Sequence, residues 1–195
     1  MIIYLDTETS GLIPGQICQL SYVMQDRENT FAKNFFFTVD SVEYGAYMIH
    51  GFSVEKLKSL SKGKRFSDCV AEIKKDFENC DLLVAHNTSF DMMFLRAEFE
   101  RVGKILPIKK DFCSMKSTTP ICKLAGRRDG YKYPKLTELC AYFKISDRDI
   151  LDSMKILFKE KAGFHDARFD TTAVYLAMNI GMETERELFS LKEYL

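Results

Sequence analysis

The chain has 195 residues, 46% of them hydrophobic and 29% charged, which excludes a disordered polymer and allows one packed domain with or without extensions. Its formal net charge is zero, which by itself argues neither for nor against a polyanionic partner. No stretch nears the roughly 18 apolar residues of a membrane helix, and the apolar opening at residues 2–5 is too short for a signal peptide. A cytoplasmic location with no membrane partner is therefore expected. The six cysteines, at 18, 69, 80, 113, 122 and 140, form no Cys-x-x-Cys pair and no His lies near them at zinc spacing, so they read as reduced thiols, most of them small buried hydrophobes.

In chain order, "IIYLD" reads as a short buried strand. "QICQLSYVMQ" (16–25) and "TFAKNFFFTV" (30–39) are two β-rich runs separated by the turn-forming "DREN". "SVEKLKSL" and "FSDCVAEIKKDFEN" have helical spacing, with Ser53 and Ser67 as expected N-caps. "DLLVAHN" (81–87) is a further strand, "SFDMMFLRAEFERVG" (89–103) an amphipathic helix stopped by Gly103, and "KDFCSM" a candidate fifth strand. Helices are expected over 135–145, 149–163 and 166–181, with a short helix or tail over 182–195. Three antiparallel strands followed by alternating helices and strands predict an α/β domain with a mixed sheet. Its limits are 1–181, with 182–195 as a terminal segment of the same domain. Residues 101–135 hold 10 basic and 2 acidic side chains, against 10 and 15 in 1–100 and 8 and 11 in 136–195. A concentrated basic segment fits either contact with a polyanion or a solvated loop.

Asp6 and Glu8 follow the first apolar run with one residue between them, so a strand points both to one side. Asp91 follows "DLLVA" at a helix start, and Asp170 lies in the first turns of the helix opened by Asp166. Strand ends and adjoining helix starts converge on one cleft in α/β sheets. Four carboxylates meeting there repel one another unless cations intervene, and Mg²⁺ or Mn²⁺ suits an all-oxygen ligand set. Two such ions about 3.5–4 Å apart clamp both oxygens of a phosphoryl displacement. His165, five residues before Asp170, suits the general base that takes a proton from water. No Gly-x-Ser-x-Gly, Walker or Gly-x-Gly-x-x-Gly pattern offers a different chemistry.

The segments "LDTETSGL", "HNTSFDMMFL" and "HDARFDTTA" resemble the three exonuclease motifs of the DnaQ-like (DEDDh) 3′→5′ exonucleases, in the right order and spanning residues 5–173. The resemblance implies a ribonuclease H-like fold with a mixed five-stranded sheet, its first three strands antiparallel, flanked by helices. It implies that Asp6, Glu8, Asp91 and Asp170 hold two divalent ions, Mg²⁺ or Mn²⁺, and that His165 is the general base. The related branch carries Tyr four before the last Asp, where this chain has Asp166. "YMIHGFSVEKL" resembles the family's His-Gly segment, a loop bordering the substrate. By the same resemblance Leu12 packs on the terminal base and Thr7, Thr9, His50, Asn87 and Phe90 shape a nucleotide pocket. His86 receives no role. Residues 146–164 exceed the family's usual connection and are a candidate insertion or lid.

The implied activity is a metal-dependent 3′→5′ exonuclease that releases nucleoside 5′-monophosphates from single-stranded or frayed 3′ ends, on DNA in a proofreading or repair role. The alternatives are an RNA-processing exoribonuclease and a non-catalytic nucleic-acid-binding or polymerase-associated module. A DNA polymerase is a candidate partner, although the short segment after Gly181 leaves little with which to dock one. With such a site, "KLAGRRDGYKYPK" (123–135) reads as substrate contact in preference to a solvated loop, since cations track phosphates and aromatic rings stack on unpaired bases.

Overall fold

In a computed structural model of the chain, residues 1–126, 130–159 and 166–195 are described. Strand β1 (Ile2–Thr9) pairs antiparallel with β2 (Ile17–Gln25), and β2 pairs antiparallel with β3 (Thr30–Phe36). The β2–β3 turn is closed by the Asp26 carboxylate, which accepts the N–H groups of Glu28 and Asn29 at 2.8 Å each. Helices α1 (Tyr44–His50), α2 (Val54–Leu60) and α3 (Phe66–Glu78) follow. Next come β4 (Leu82–Ala85), α4 (Thr88–Arg101) and β5 (Asp111–Cys113). Strand β4 runs parallel to β1, and β5 parallel to β4. The described chain continues with α5 (Ser114–Ser117), α6 (Thr119–Cys122), α7 (Leu136–Tyr142), α8 (Asp147–Phe158), α9 (Ala167–Thr184) and a 3₁₀ helix over Arg186–Tyr194. Sheet order is β3-β2-β1-β4-β5, the mixed five-stranded sheet expected from the sequence.

The two-residue period of β1 sets the layers. Ile2 and Tyr4 pack with Leu139 of α7, Ile150 and Met154 of α8, and Val174 and Ala177 of α9. Ile3 and Leu5 pack with Val70, Ile73 and Phe77 of α3 and Phe94 and Phe99 of α4. Both faces of the central strands are covered, which is why β1 and β4 read as unbroken apolar runs.

Local differences from the sequence reading have local causes. Ser53 caps α2, accepting from the Lys56 N–H at 3.2 Å. Helix α3, however, starts before Ser67: its N-cap is Arg65, whose N–H donates to the Asp68 carboxylate at 2.8 Å. The Asp68 side chain supplies the end-of-helix acceptor, and the earlier start brings Phe66 into the core. Gly103 ends α4 with φ 66°, donating to Glu100 O at 2.9 Å while Lys104 N–H reaches Phe99 O at 2.9 Å. The segment before His50, expected as a loop, forms α1. Helices α5 and α6 are single turns, too short for a periodic signal.

Helix α8 begins at 147 under the Ser146 cap, earlier than expected, and buries Ile150 and Met154; the expected continuation over 160–163 lies outside the described residues. Of the expected terminal helix, the first residues extend α9, and the 3₁₀ helix then buries Leu188 and Leu191 in the core. Among the described residues, no helix is long and apolar enough to cross a membrane. All six cysteines are free, and Cys18, Cys69, Cys80 and Cys140 are buried.

Candidate active site

The strand period that sends Ile2 and Tyr4 toward α9 sends Asp6 and Glu8 the same way. Asp170, in the first turn of α9, meets them there. One carboxylate oxygen from each of Asp6, Glu8 and Asp170 lies within 4.8 Å of the other two. Asp91 arrives from the opposite layer, on the first turn of α4, and is buried. Thr7, the odd-numbered residue between the two strand acids, donates its Oγ1 hydroxyl to Asp91 Oδ1 at 2.9 Å. Thus Asp91 stands outside the three-oxygen group, yet its charge acts on Asp6 and Glu8.

The electrostatic cost is visible in the acids. Burial, then repulsion from Asp170, Asp91 and Glu8, holds the Asp6 carboxyl well above the usual carboxylate range. Glu8 is pushed up to about 8 by burial and by Asp170, Asp166 and Asp91. Burial pushes Asp91 up to about 7, against the opposing Thr7 hydrogen bond. These groups cannot all be ionised near neutrality without a compensating cation. A convergent set of hard oxygen donors that relieves its own repulsion by taking up positive charge fits divalent metals of the Mg²⁺ class.

The start of α9 is fastened to the sheet by groups with no metal or substrate role in the sequence reading. Gln19 on β2 donates its Nε2 to Asp166 Oδ1 at 2.8 Å, and its Oε1 accepts the Ala167 N–H at 3.1 Å. The same Nε2 reaches Asn34 Oδ1 on β3 at 2.8 Å. Asp166 caps α9 and takes a bidentate pair from Arg168, with Nε and a terminal nitrogen both at 2.8 Å. Thr171 Oγ1 donates to Ser21 O at 3.1 Å. Opposite Glu8 and Thr9 the β1–β2 register shifts, and the Ile17 N–H is taken by the buried Glu98 carboxylate at 2.9 Å. The skipped residue is Cys18, so the irregularity lies on β2 opposite the end of β1.

Next to the acids lies a cleft of about 320 Å³, lined by Glu8, Thr9, Leu12, Ile49, His50 and Phe90 among others. Its walls are mostly apolar, and Leu12 and Ile49 are 76% and 60% exposed at its mouth. Gly11 lines it for a steric reason: a Cβ there would stand 2.3 Å from Glu43 Cδ, so any side chain must displace that carboxylate.

The exonuclease family model, RNase_T, matches residues 3–178. The chain belongs to the RNase_T exonuclease family. It is 30% identical over 154 residues to the DNA polymerase III subunit epsilon of Rickettsia conorii, covering 74% of this chain and 63% of that protein. It is 28% identical over 156 residues to the DNA polymerase III subunit epsilon of Buchnera aphidicola subsp. Acyrthosiphon pisum, covering 74% and 62%. The chain therefore spans less than two thirds of these relatives' length. A solved structure of the metal-free form of the E. coli ExoI–ssDNA complex matches with a TM-score of 0.68 over 97% of this chain and 41% of that one, at 18% identity. That likeness shows a shared ribonuclease H-like fold.

In this exonuclease-family domain, Thr7, Thr9, Leu12, His50 and Phe90 all line one cleft with Glu8. Asn87 does not line it; it is the N-cap of α4 in a left-handed conformation, φ 74°. His165 lies outside the described residues. The His50 ring is fixed by its neighbours. Its Nδ1 accepts the Phe52 N–H at 3.0 Å, so the Nε2–H donates to Thr9 O at 3.2 Å. Burial lowers its pKa, which keeps this neutral tautomer. Thr9 Oγ1 in turn donates to Gly11 O at 2.8 Å, tying β1 to the loop that carries Leu12. Gln19, Asp166 and Arg168 escaped the sequence reading as functional groups, because their partners sit on β2, β3 and α9 and no local spacing links them.

Proposed function

We propose that this chain is a metal-dependent 3′→5′ exonuclease that removes nucleoside 5′-monophosphates from single-stranded or frayed DNA. The observation that carries this reading is the convergence of Asp6, Glu8 and Asp170 beside an apolar-walled cleft in an exonuclease-family domain. Asp6, Glu8, Asp91 and Asp170 are the residues that would hold two divalent ions, Mg²⁺ or Mn²⁺. Such ions, when bound, make water nucleophilic near neutral pH and stabilise charge on the departing oxygen.

The chain's own groups do the rest. Thr7 holds Asp91 in place through its hydroxyl. Leu12 and Phe90 grip the terminal base across the cleft, with His50 and Thr9 fixing its floor. The neutral His50 is a positioning group in this scheme, since both ring nitrogens are engaged with backbone. His165, one residue before the Asp166 cap, takes the proton from the attacking water. DNA is favoured over RNA because the relatives are named as DNA polymerase III epsilon subunits. The same names make a DNA polymerase the candidate protein partner and agree with a cytoplasmic setting.

The test is digestion of 5′-labelled DNA and RNA oligonucleotides of matched sequence with Mg²⁺ or Mn²⁺. Stepwise shortening from the 3′ end with 5′-mononucleotide product, faster on DNA, is expected. Absence of product with both metals, or full activity in Asp6→Ala and His165→Ala, would sink the reading. Faster shortening of RNA would transfer it to the exoribonuclease alternative.

A further inference from the structure

His86 follows β4 and carries no part in the chemistry above, yet it is half-buried and doubly bonded. Its Nε2 lies 3.0 Å from Pro134 O, and its Nδ1 lies 3.0 Å from Ser114 Oγ. A carbonyl oxygen only accepts, so Nε2 carries the hydrogen; in the neutral ring Nδ1 then accepts from the Ser114 hydroxyl. Burial lowers the His86 pKa, in keeping with that neutral form. The ring thus fastens the segment ending at Pro134 to the ends of β4 and β5.

That segment is unusual in composition. Its legs pair antiparallel, with an Ala125–Tyr131 bridge, Lys132 N–H donating to Leu124 O at 3.0 Å and Gly126 N–H donating to Gly130 O at 3.2 Å. Tyr131 and Tyr133 are 54% and 59% exposed, and Lys123 and Lys135 are exposed beside them in sequence. Lys132 is engaged with Glu138 and is not counted as a free cation. Two open aromatic rings interleaved with cations match unpaired bases on a phosphate chain.

The sheet supplies the path to the acids. Strands β1, β4 and β5 are parallel to one another, and their register, with Tyr4 beside Val84 and Val84 beside Phe112, puts Asp6, His86 and Ser114 level with one another two residues on. Two strand spacings of about 4.8 Å put Ser114 roughly 10 Å from Asp6 across the sheet. That span is about three stacked nucleotides at ~3.4 Å each.

We propose that the paired legs around Tyr131 and Tyr133, held by His86, form a second contact surface for single-stranded nucleic acid, engaging the strand several nucleotides upstream of the 3′ end. The proposal rests on the exonuclease reading for the direction of the strand. It is tested by calorimetric binding of oligothymidylates of 3 and 12 nucleotides to the full chain in EDTA, where turnover does not intervene. The 12-mer is expected to bind at least about tenfold more tightly than the 3-mer, the order of one or two base–aromatic stacks. Tyr131→Ala/Tyr133→Ala is expected to weaken the 12-mer about tenfold and the 3-mer by less than about twofold. His86→Leu should act in the same direction, and His86→Gln, which keeps an N–H donor for Pro134 O, should recover most of the loss. Equal weakening at both lengths, or none at either, overturns the proposal. The double tyrosine variant alters only exposed rings, so it decides the matter even if His86→Leu folds poorly. Adding Mg²⁺ or Mn²⁺ to the same oligomers reports separately on cleavage: intact oligomers would end the exonuclease reading while the binding result still judges this surface.

Discussion

The two faces of β1 end in different environments a residue apart. On the even face, Asp6 and Glu8 are partly buried and meet Asp170 with three oxygens inside 4.8 Å. On the odd face, Thr7 and Thr9 are buried and every side-chain hydroxyl is committed, one to Asp91 and one to Gly11 O. The even face concentrates carboxylates that must bind protons or a cation to relieve their repulsion. The odd face is ordinary satisfied polar structure that fixes where that charge sits. A single strand can therefore present an acidic edge on one side because the other side is locked to α4 and to the loop after Thr9.

Four measurements can break or sharpen that contrast. The largest effect is expected on the even face. Asp6→Asn should lower metal-dependent cleavage by about 10³-fold, the equivalent of several kcal/mol of transition-state stabilisation. Comparable activity in Asp6→Asn and the parent would remove the functional distinction between the faces.

Second, Gln19→Leu keeps every acid but strips partners from the Ala167 N–H and the Asp166 carboxylate. Asp166 keeps its Arg168 partners, but the Ala167 N–H is orphaned at a cost of about 1–3 kcal/mol, with roughly 2–4 °C of Tm per kcal/mol in a chain of this size. Thermal melts should fall accordingly, with cleavage reduced alongside; an unchanged melt would mean that the Gln19 contacts do not help hold α9 to the sheet.

Third comes the odd face itself. Thr7→Val leaves the strand intact but removes the hydrogen bond that lowers the Asp91 pKa. A drop of about tenfold in kcat is expected, within the 10–100-fold range for groups that orient metal ligands. A larger loss than that of Asp6→Asn would invert the comparison.

The smallest effect concerns pH. Burial pushes Asp91 from an ordinary carboxyl pKa of about 3.9 up to about 7. A folded pKa above the unfolded one means that the stabilising contribution is complete below about pH 4 and is lost as pH rises through about 7. In EDTA, Asp91→Asn should therefore melt a few degrees above the parent at pH 8, at ~2–4 °C per kcal/mol, with the gap closing by pH 5. Mg²⁺ should stabilise the parent more than the variant at pH 8. A gap that is the same at both pH values would show that Asp91 does not titrate in this window.

Much of this was legible in one dimension. The apolar runs of β1 and β4, the turn at Asp26, the Ser53 cap and the Gly103 stop are local signals, and each stands within a few residues of its expected place. The order of the three acidic segments is likewise a property of the chain. The one-turn helices α5 and α6 were not, because four residues carry no period. Ser67 looked like a cap because hydroxyls usually cap, but Asp68 already supplied the acceptor one turn start earlier.

What the sequence by itself determined is which acids exist, their spacing and their strand parity: alternation alone puts Asp6 and Glu8 on one side of β1. Only the tertiary structure decided that Asp170 shares that side while Asp91 reaches the site from the other layer through Thr7. The same holds for the Gln19–Asp166–Arg168 clamp, the His50 tautomer and the strut at His86. Periodicity is fixed by backbone geometry within a few residues, whereas these contacts join groups up to 148 positions apart and depend on how the layers close over the sheet.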